Sequence, residues 1–273
     1  GVVGGASIPV YNSHTPGELD FKTYISRACM GGVLGYGQST ATNCSNDNNS
    51  VNMTILNVTK EGASMMGGVV GRATVVDNCH NLADVSCVVK DGIFGSSSIY
   101  TAAVVGYADS EVKNSSHTAD YTLTVEKDIQ AIVHCAGVVG QVKTAAGVVQ
   151  TVTNCSTSAG ATVILNTSNT NTNCLAGVVS CVNNGITSCV NRAAVTLNVT
   201  AANTGTSICR VAGVASIQRQ NMTECINGGL VTANMANSTC PLYIAGVLAT
   251  NYDADSTVSS STNSGNIVVT DYA

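Results

Sequence analysis

Apolar and polar residues alternate one for one in short stretches along the chain. Val51, Met53 and Ile55 alternate with Asn52 and Thr54, Tyr121, Leu123 and Val125 with Thr122 and Thr124, and Val195, Leu197 and Val199 with Thr196 and Asn198. A period of two sends one set inward and the other toward solvent, and so predicts strands. No segment keeps a helical period over ten or more residues.

Between these stretches a short signature returns. It reads Gly32-Val33-Leu34-Gly35, Gly68-Val69-Val70-Gly71, Ala103-Val104-Val105-Gly106 and Gly137-Val138-Val139-Gly140. It continues as Gly177-Val178-Val179-Ser180, Gly213-Val214-Ala215-Ser216 and Gly246-Val247-Leu248-Ala249. The starts are 36, 35, 34, 40, 36 and 33 residues apart, and extra residues between Gly140 and Asn154 account for the longest gap. About eleven residues after each anchor comes a corner: Asn43-Cys44, Asn78-Cys79, Asn114-Ser115, Asn154-Cys155, Ser188-Cys189 or Glu224-Cys225. Gly1-Val2-Val3-Gly4 is a further anchor with Asn12 at the corner phase, making eight repeats, the first degenerate.

A unit this small cannot bury its apolar face alone, so the units must stack. The expectation is an all-β fold, a single β-solenoid over residues 1–273 with about eight ~35-residue repeats of about three short strands each, starting near 1, 32, 68, 103, 137, 177, 213 and 246. Anchor glycines let neighbouring backbones approach, and Asn takes the left-handed corner conformation readily. A β-propeller is the rival and would need a fourth, outer strand in each repeat.

The pattern from Gly67-Gly68-Val69-Val70-Gly71 through Asn78-Cys79-His80-Asn81 to Val85 resembles the GLUG-type repeats of large microbial surface proteins. That resemblance implies rungs of a parallel β-helix and a cell-surface location, and it implies no activity. The chain departs from it in its many cysteines and glycosylation sequons, which suggest a eukaryotic secretory pathway.

Composition sharpens the picture. Hydrophobic residues make up 44% but aromatics only 4%, so the core must be thin layers of Val, Ala, Ile, Leu and Cys. Charged residues are 10%, and a net charge of −5 without a basic run leaves no electrostatic footprint for nucleic acid. The most apolar stretch, 135–152, is interrupted by Gln141 and Lys143, which argues against membrane insertion. The chain opens on Gly1 without a charged-then-apolar leader, which for a secreted protein implies a removed signal peptide or a fragment.

Twelve cysteines without a CxxC pair predict up to six disulfides in an oxidising compartment. Cys44–Cys79, Cys155–Cys189, Cys135–Cys174 and Cys209–Cys240 are candidate staples between adjacent coils. Cys29, Cys87, Cys181 and Cys225 stay unassigned, with Cys181–Cys189 a competing choice, and metal binding is the alternative use of these thiols. Sequons for N-linked glycans occur at Asn43, Asn48, Asn52, Asn57, Asn114, Asn154, Asn166, Asn198, Asn221 and Asn237. Asn52 and Asn198 fall on the outward phase of their strands. A glycan coat would keep an apolar, weakly charged solenoid in solution.

No HExxH, Walker loop or GxSxG occurs, and no cofactor is implied. Gly32 to Gly37 resembles a phosphate loop only superficially. His80 beside Cys79 and His134 beside Cys135 would point to opposite faces of a strand. The feature closest to an enzyme is an expected column of Asp47, Asp84 and Asp120 at similar distances from their anchors, as in β-helix enzymes that process acidic polysaccharides. Asp91 and Glu126 share another phase. A Thr-rich face around Thr167 to Thr172 does not recur in register.

The ends complete the expectation. Neither shows a polar cap, and joining Ala273 of one copy to Gly1 of the next recreates the Ala-Gly-Val-Val-Gly string of residues 136–140. The sequence therefore reads as a non-enzymatic structural protomer of an extracellular, glycosylated filament or surface appendage, stacking head to tail as a homopolymer. The polymer interface would be Gly1, Val2, Val3 and Gly4 at one end and Ile267, Val269, Tyr272 and Ala273 at the other. A cell-surface adhesin or glycan-binding solenoid, and a polysaccharide-processing β-helix enzyme, are the alternatives.

Overall fold

The computed structural model describes residues 3–15, 18–24, 27–47, 50–56, 62–92, 97–143, 150–200 and 207–272. Among these there is no helix, and every strand pairing is parallel, joining each repeat to the one before and after it. The chain is a β-solenoid and the expected propeller rival falls away.

One circuit has four faces. In the fourth rung Ser98–Ala102 lies on an approach face, Val105–Lys113 on an anchor face, Ser116–His117 on a corner face and Asp120–Val125 on a long face. The corner and long faces each stack eight strands, and the approach face stacks seven. Three strands per coil were expected. The fourth escapes sequence analysis because corner strands are two residues long, too short for alternation to be seen.

All seven later anchors fall on one bend, between the approach strand and the anchor strand. The bend divides the interior into two cores. Approach and long faces enclose one, containing Met53, Met66, Cys87, Tyr121, Leu123, Leu165 and Leu197. The folded anchor face encloses the other, containing Leu34, Val70, Val105, Val139, Val179 and the corner cysteines. Ala103 packs in the first core and Val104 in the second, so the signature straddles the divide. The last glycine of the signature has a steric origin: a Cβ on Gly71 would stand 2.4 Å from the Gly35 carbonyl oxygen and 2.8 Å from the Met30 amide nitrogen.

On the long face Val51, Met53 and Ile55 are buried beneath Val85, Cys87 and Val89, and Tyr121, Leu123 and Val125 follow above. Here the alternation reads correctly, because both sides of the strand meet different surroundings. The corners adopt the left-handed conformation throughout, with φ of +53° at Asn43, Asn78, Asn114, Asn154 and Ser188, and similar values at Asn12, Glu224 and Ser260.

Candidate functional site

Two polar ladders run along the axis at the corners. Outside, Asn43 donates from Nδ2 to Asn12 Oδ1 (3.0 Å), Asn78 to Asn43 (2.7 Å) and Asn154 to Asn114 (2.9 Å). Inside, the second residue of each corner strand forms the column Thr15, Asn46, Asn81, His117, Thr157, Asn191, Asn227, Asn263. Asn46 donates to Asn81 Oδ1 (2.9 Å), Asn191 to Asn227 Oδ1 (2.7 Å) and Asn227 to Asn263 Oδ1 (2.7 Å), while the Thr157 hydroxyl donates to Asn191 Oδ1. The first anchor glycine makes room for this ladder. A Cβ on Gly177 would stand 2.2 Å from Asn191 Oδ1, and on Gly213 the same distance from Asn227 Oδ1. Sequence reasoning registered both motifs and missed that they interlock; the last Asn of NCxN was the available signal.

His117 interrupts the inner ladder. Its Nδ1 lies 3.1 Å from Asn81 Nδ2, and burial depresses its pKa to about 4 against a weaker upward pull from Asp120 and Asp84. His80 and His134 point away from Cys79 and Cys135, as expected. His80 contacts Ser116 Oγ and Asn78 Oδ1, and His134 contacts Ser180 Oγ.

None of the twelve cysteines forms one of the expected disulfides, and Cys29 alone is not buried. Cys44 and Cys79 stack in adjacent rungs, and Cys155, Cys189 and Cys225 form a run of three. The Cys209 and Cys240 sulfurs are 3.3 Å apart. In the first and last of these groups the neighbouring thiol holds one partner low (Cys44, Cys240) and pushes the other up (Cys79, Cys209). The Cys135–Cys174 pairing is overturned. Cys135 is level with Leu175 and faces the main core, whereas Cys174 is level with His134 and faces outward beside Cys181 and Ile217. Cys181–Cys189 fails in the same way, because Cys189 lies in the anchor-face core. Cys87 is enclosed in the main core, where burial raises its pKa to about 12. Among the described residues no group of three or more His, Cys, Asp or Glu is placed to hold a metal ion.

The described sequon asparagines lie on the outside: Asn43, Asn114, Asn154 and Asn221 are exposed, and Asn52, Asn166 and Asn198 half-buried. Asn198 Nδ2 donates to Asn166 Oδ1 at 2.8 Å, so this pair, like Asn114 and Asn154, occupies one column in consecutive rungs. Asn48, Asn57 and the Asn237 side chain lie outside the described residues.

The acid column shortens to two members. Asp84 is level with Ser50 and Asp120, while Asp47 sits at the height of Leu82, because it directly follows the ladder residue Asn46 whereas Asp84 and Asp120 come three residues after Asn81 and His117. Asp84 Oδ1 accepts from the Asp120 amide (3.0 Å), and Asp120 Oδ1 accepts from the Thr162 amide (3.0 Å) and hydroxyl (2.8 Å). These carboxylates tie successive rungs together. Asp91 and Glu126 each meet a lysine: Asp91 with Lys127 at 2.7 Å, and Glu126 with Lys90 at 3.8 Å. Thr167 is buried against Asn173 and presents no flat outer face.

At the last rung Val258, Ile267 and Val269 are 49%, 44% and 42% exposed, although the residues below them in their columns, Met222, Val231 and Ala233, are wholly buried. At the first rung Val3, Val10, Leu19 and Phe21 occupy the same columns. Gly1, Val2, Ala273 and the Tyr272 side chain lie outside the described residues. No helix among the described residues is long and apolar enough to cross a membrane.

A further feature was invisible in the sequence. The outer sides of the approach and anchor faces meet in a crease along the axis. One wall presents Cys29, Met65, Tyr100, His134, Cys174, Arg210 and Tyr243, one per rung. The other presents Tyr36, Arg72, Tyr107, Gln141, Cys181, Ile217 and Thr250. Arg72 lies between the rings of Tyr36 and Tyr107, 5.5 and 5.2 Å from their centroids, and forks onto Asp109 at 2.7 and 3.2 Å. Arg210 reaches Tyr252 Oη at 2.6 Å and Thr250 Oγ1 at 3.1 Å. His134 is buried mid-crease, and burial, reinforced by Arg210 and Lys143, lowers its pKa to about 3. With Arg27 and Arg219, four of the chain's five arginines lie along this crease.

No protein-family model, curated protein or solved structure matches this chain.

Proposed function

We propose that this chain is a structural protomer of an extracellular filament or surface appendage, in which the parallel rungs of one copy continue into the next. The observation that carries the reading is the identity of the columns at the two ends. Val3 would follow Leu248, Val10 would follow Val258, Leu19 would follow Ile267 and Phe21 would follow Val269, each apolar residue covering another. The left-handed corner at Asn12 would follow that at Ser260. Backbone groups on each open edge would find partners, and half-exposed apolar side chains would leave water. The surface sequons, the stacked cysteines and the GLUG-type resemblance support a secreted, glycosylated, disulfide-forming setting.

Further rungs of the same polypeptide would satisfy the edge equally well, so the test uses the 273-residue chain by itself. Sedimentation velocity over a hundredfold range of concentration is expected to show growing rods. Val269→Lys, which places a charge in the end column, is expected to leave a monomer with an unchanged β-sheet circular dichroism spectrum. A wild-type chain that stays monomeric across the range would overturn the proposal.

A further inference from the structure

We infer that the crease holds a binding site for a negatively charged sugar, at its first two rungs, around Tyr36, Arg27 and Arg72. A hollow of about 510 Å³ opens there, lined by Arg27, Cys29, Tyr36, Ala63, Met65 and Arg72. That is within the range of ligand pockets, about 300–1,000 Å³. A second hollow of about 260 Å³ lies against Gly5, Ala6, Ser7, Tyr36 and Gln38, so the Tyr36 side chain is the wall between the two.

Higher in the crease Tyr107 is covered by Arg72 and by Tyr100 edge-on, and Tyr100 by His134, while Tyr243 at the far end has Arg210 5.9 Å from its centroid and is 45% exposed. Tyr36 differs because the residue level with it in the rung below is Gly5, which has no side chain to cover the ring. Arg72 occupies one side of Tyr36, and the other is left open. An open phenol ring is a platform for the C–H face of a pyranose, apolar in its body and polar at its rim.

The charge of the ligand follows from the arginines. In a protein of net charge −5, Arg27 and Arg72 converge on one hollow. Asp109 engages Nε and Nη2 of Arg72 and fixes the plane of its guanidinium, leaving Nη1 without a partner among the described residues. Arg27 is exposed and meets no carboxylate among the described residues. The guanidinium groups line one hollow and the open ring face lines the other, so the ligand is a chain of at least two uronate units that bridges the Tyr36 side chain: one ring stacks on the open face and its neighbour's carboxylate meets the N–H forks. Stacking would bring Thr250 of a preceding copy level with Gly5, so the site is also measured on the monomeric Val269→Lys chain, where its failure is distinct from that of the filament.

The test is calorimetric titration of the wild-type chain and of its monomeric Val269→Lys variant with oligogalacturonate, with its fully methyl-esterified neutral counterpart, and with a poly-glutamate peptide. Binding of the uronate at least tenfold tighter than of the ester is expected, with no comparable binding of the peptide. Arg27→Gln is expected to weaken uronate binding about tenfold, the scale of one charge-assisted contact. Gly5→Leu should abolish it by covering the open ring; a Cβ there meets only the Tyr36 carbonyl oxygen, at 3.8 Å, so the fold has room for it. Both variants should keep the wild-type melting temperature, which separates loss of the site from loss of the fold. Equal affinity for acid and ester, tighter binding of the peptide, or no binding of the uronate at millimolar concentration would overturn the assignment.

Discussion

Replacing Asn191 by alanine probes the inner ladder where it is most enclosed. Asn191 is wholly buried, donates to Ala193 O at 3.0 Å and Asn227 Oδ1 at 2.7 Å, and accepts from the Thr157 hydroxyl. Truncation takes one donor from the buried Ala193 carbonyl and leaves the Thr157 hydroxyl without its acceptor, while Asn227 Oδ1 keeps only the Gly229 amide, at 3.3 Å. Each such group costs about 1–3 kcal/mol. The Thr157 oxygen still accepts from the Arg192 and Ala193 amides, which offsets part of its share. The expected loss is therefore about 2–4 kcal/mol, a large part of the roughly 5–15 kcal/mol that holds a domain together. Equilibrium unfolding in urea, followed by circular dichroism, measures it. Asn263→Ala is the control, because the same residue type at the last rung is exposed and water replaces its partners; it should cost under about 1 kcal/mol. Asn191→Asp adds a pH signature. The buried carboxyl would have a raised pKa, so its penalty should be greatest at neutral pH and shrink as the pH falls and the acid takes up a proton. Equal, small losses at Asn191 and Asn263 would refute the argument that the ladder holds the rungs together.

Three further outcomes follow from the same geometry. His117 has a folded pKa of about 4 against an ordinary 6.5, so its contribution is fully present above pH 6.5, falls as the pH drops toward 4 and is flat below; the span is about 3 kcal/mol. His117→Asn, which restores the residue of the neighbouring rungs, should flatten that slope in urea titrations at pH 4–7, and an unchanged slope would assign it elsewhere. Under mild oxidation, peptide mapping should find Cys44–Cys79 and Cys209–Cys240 linked, and Cys189 joined to either Cys155 or Cys225; a Cys135–Cys174 link would contradict the opposite facing of those side chains. When the chain is expressed through a eukaryotic secretory pathway, intact-glycoprotein mass spectrometry should show at most one glycan on Asn114 and Asn154 together, and one on Asn166 and Asn198, since partners in a column stand one strand spacing, about 4.8 Å, apart. Double occupancy of either pair would contradict the register.

The rungs were legible because alternation and the glycine signature are both local consequences of stacking: Val51 to Ile55 and Tyr121 to Val125 must face a core, and Gly71 must sit against backbone. The inner ladder was not legible. Asn81 and Asn191 sit in two-residue strands, where a buried amide and an exposed one look alike in sequence. Cys135–Cys174 and the Asp47 column misled for one reason, that counting from an anchor is uncertain by a residue or two, and one residue turns a side chain to the opposite face. The crease escaped altogether. Tyr36, Arg72 and Tyr107 each contribute one residue per rung, some thirty-five positions apart, and only the fold brings them together.

The central claim is that rungs continue from copy to copy, and electron cryo-microscopy of the concentrated, unreduced protein tests it most directly. Eight rungs at ~4.8 Å predict thin, unbranched filaments whose subunits repeat every ~38 Å along the axis, with one unbroken parallel sheet crossing each junction. Discrete particles, or filaments whose repeat is not that of an eight-rung stack, would contradict it.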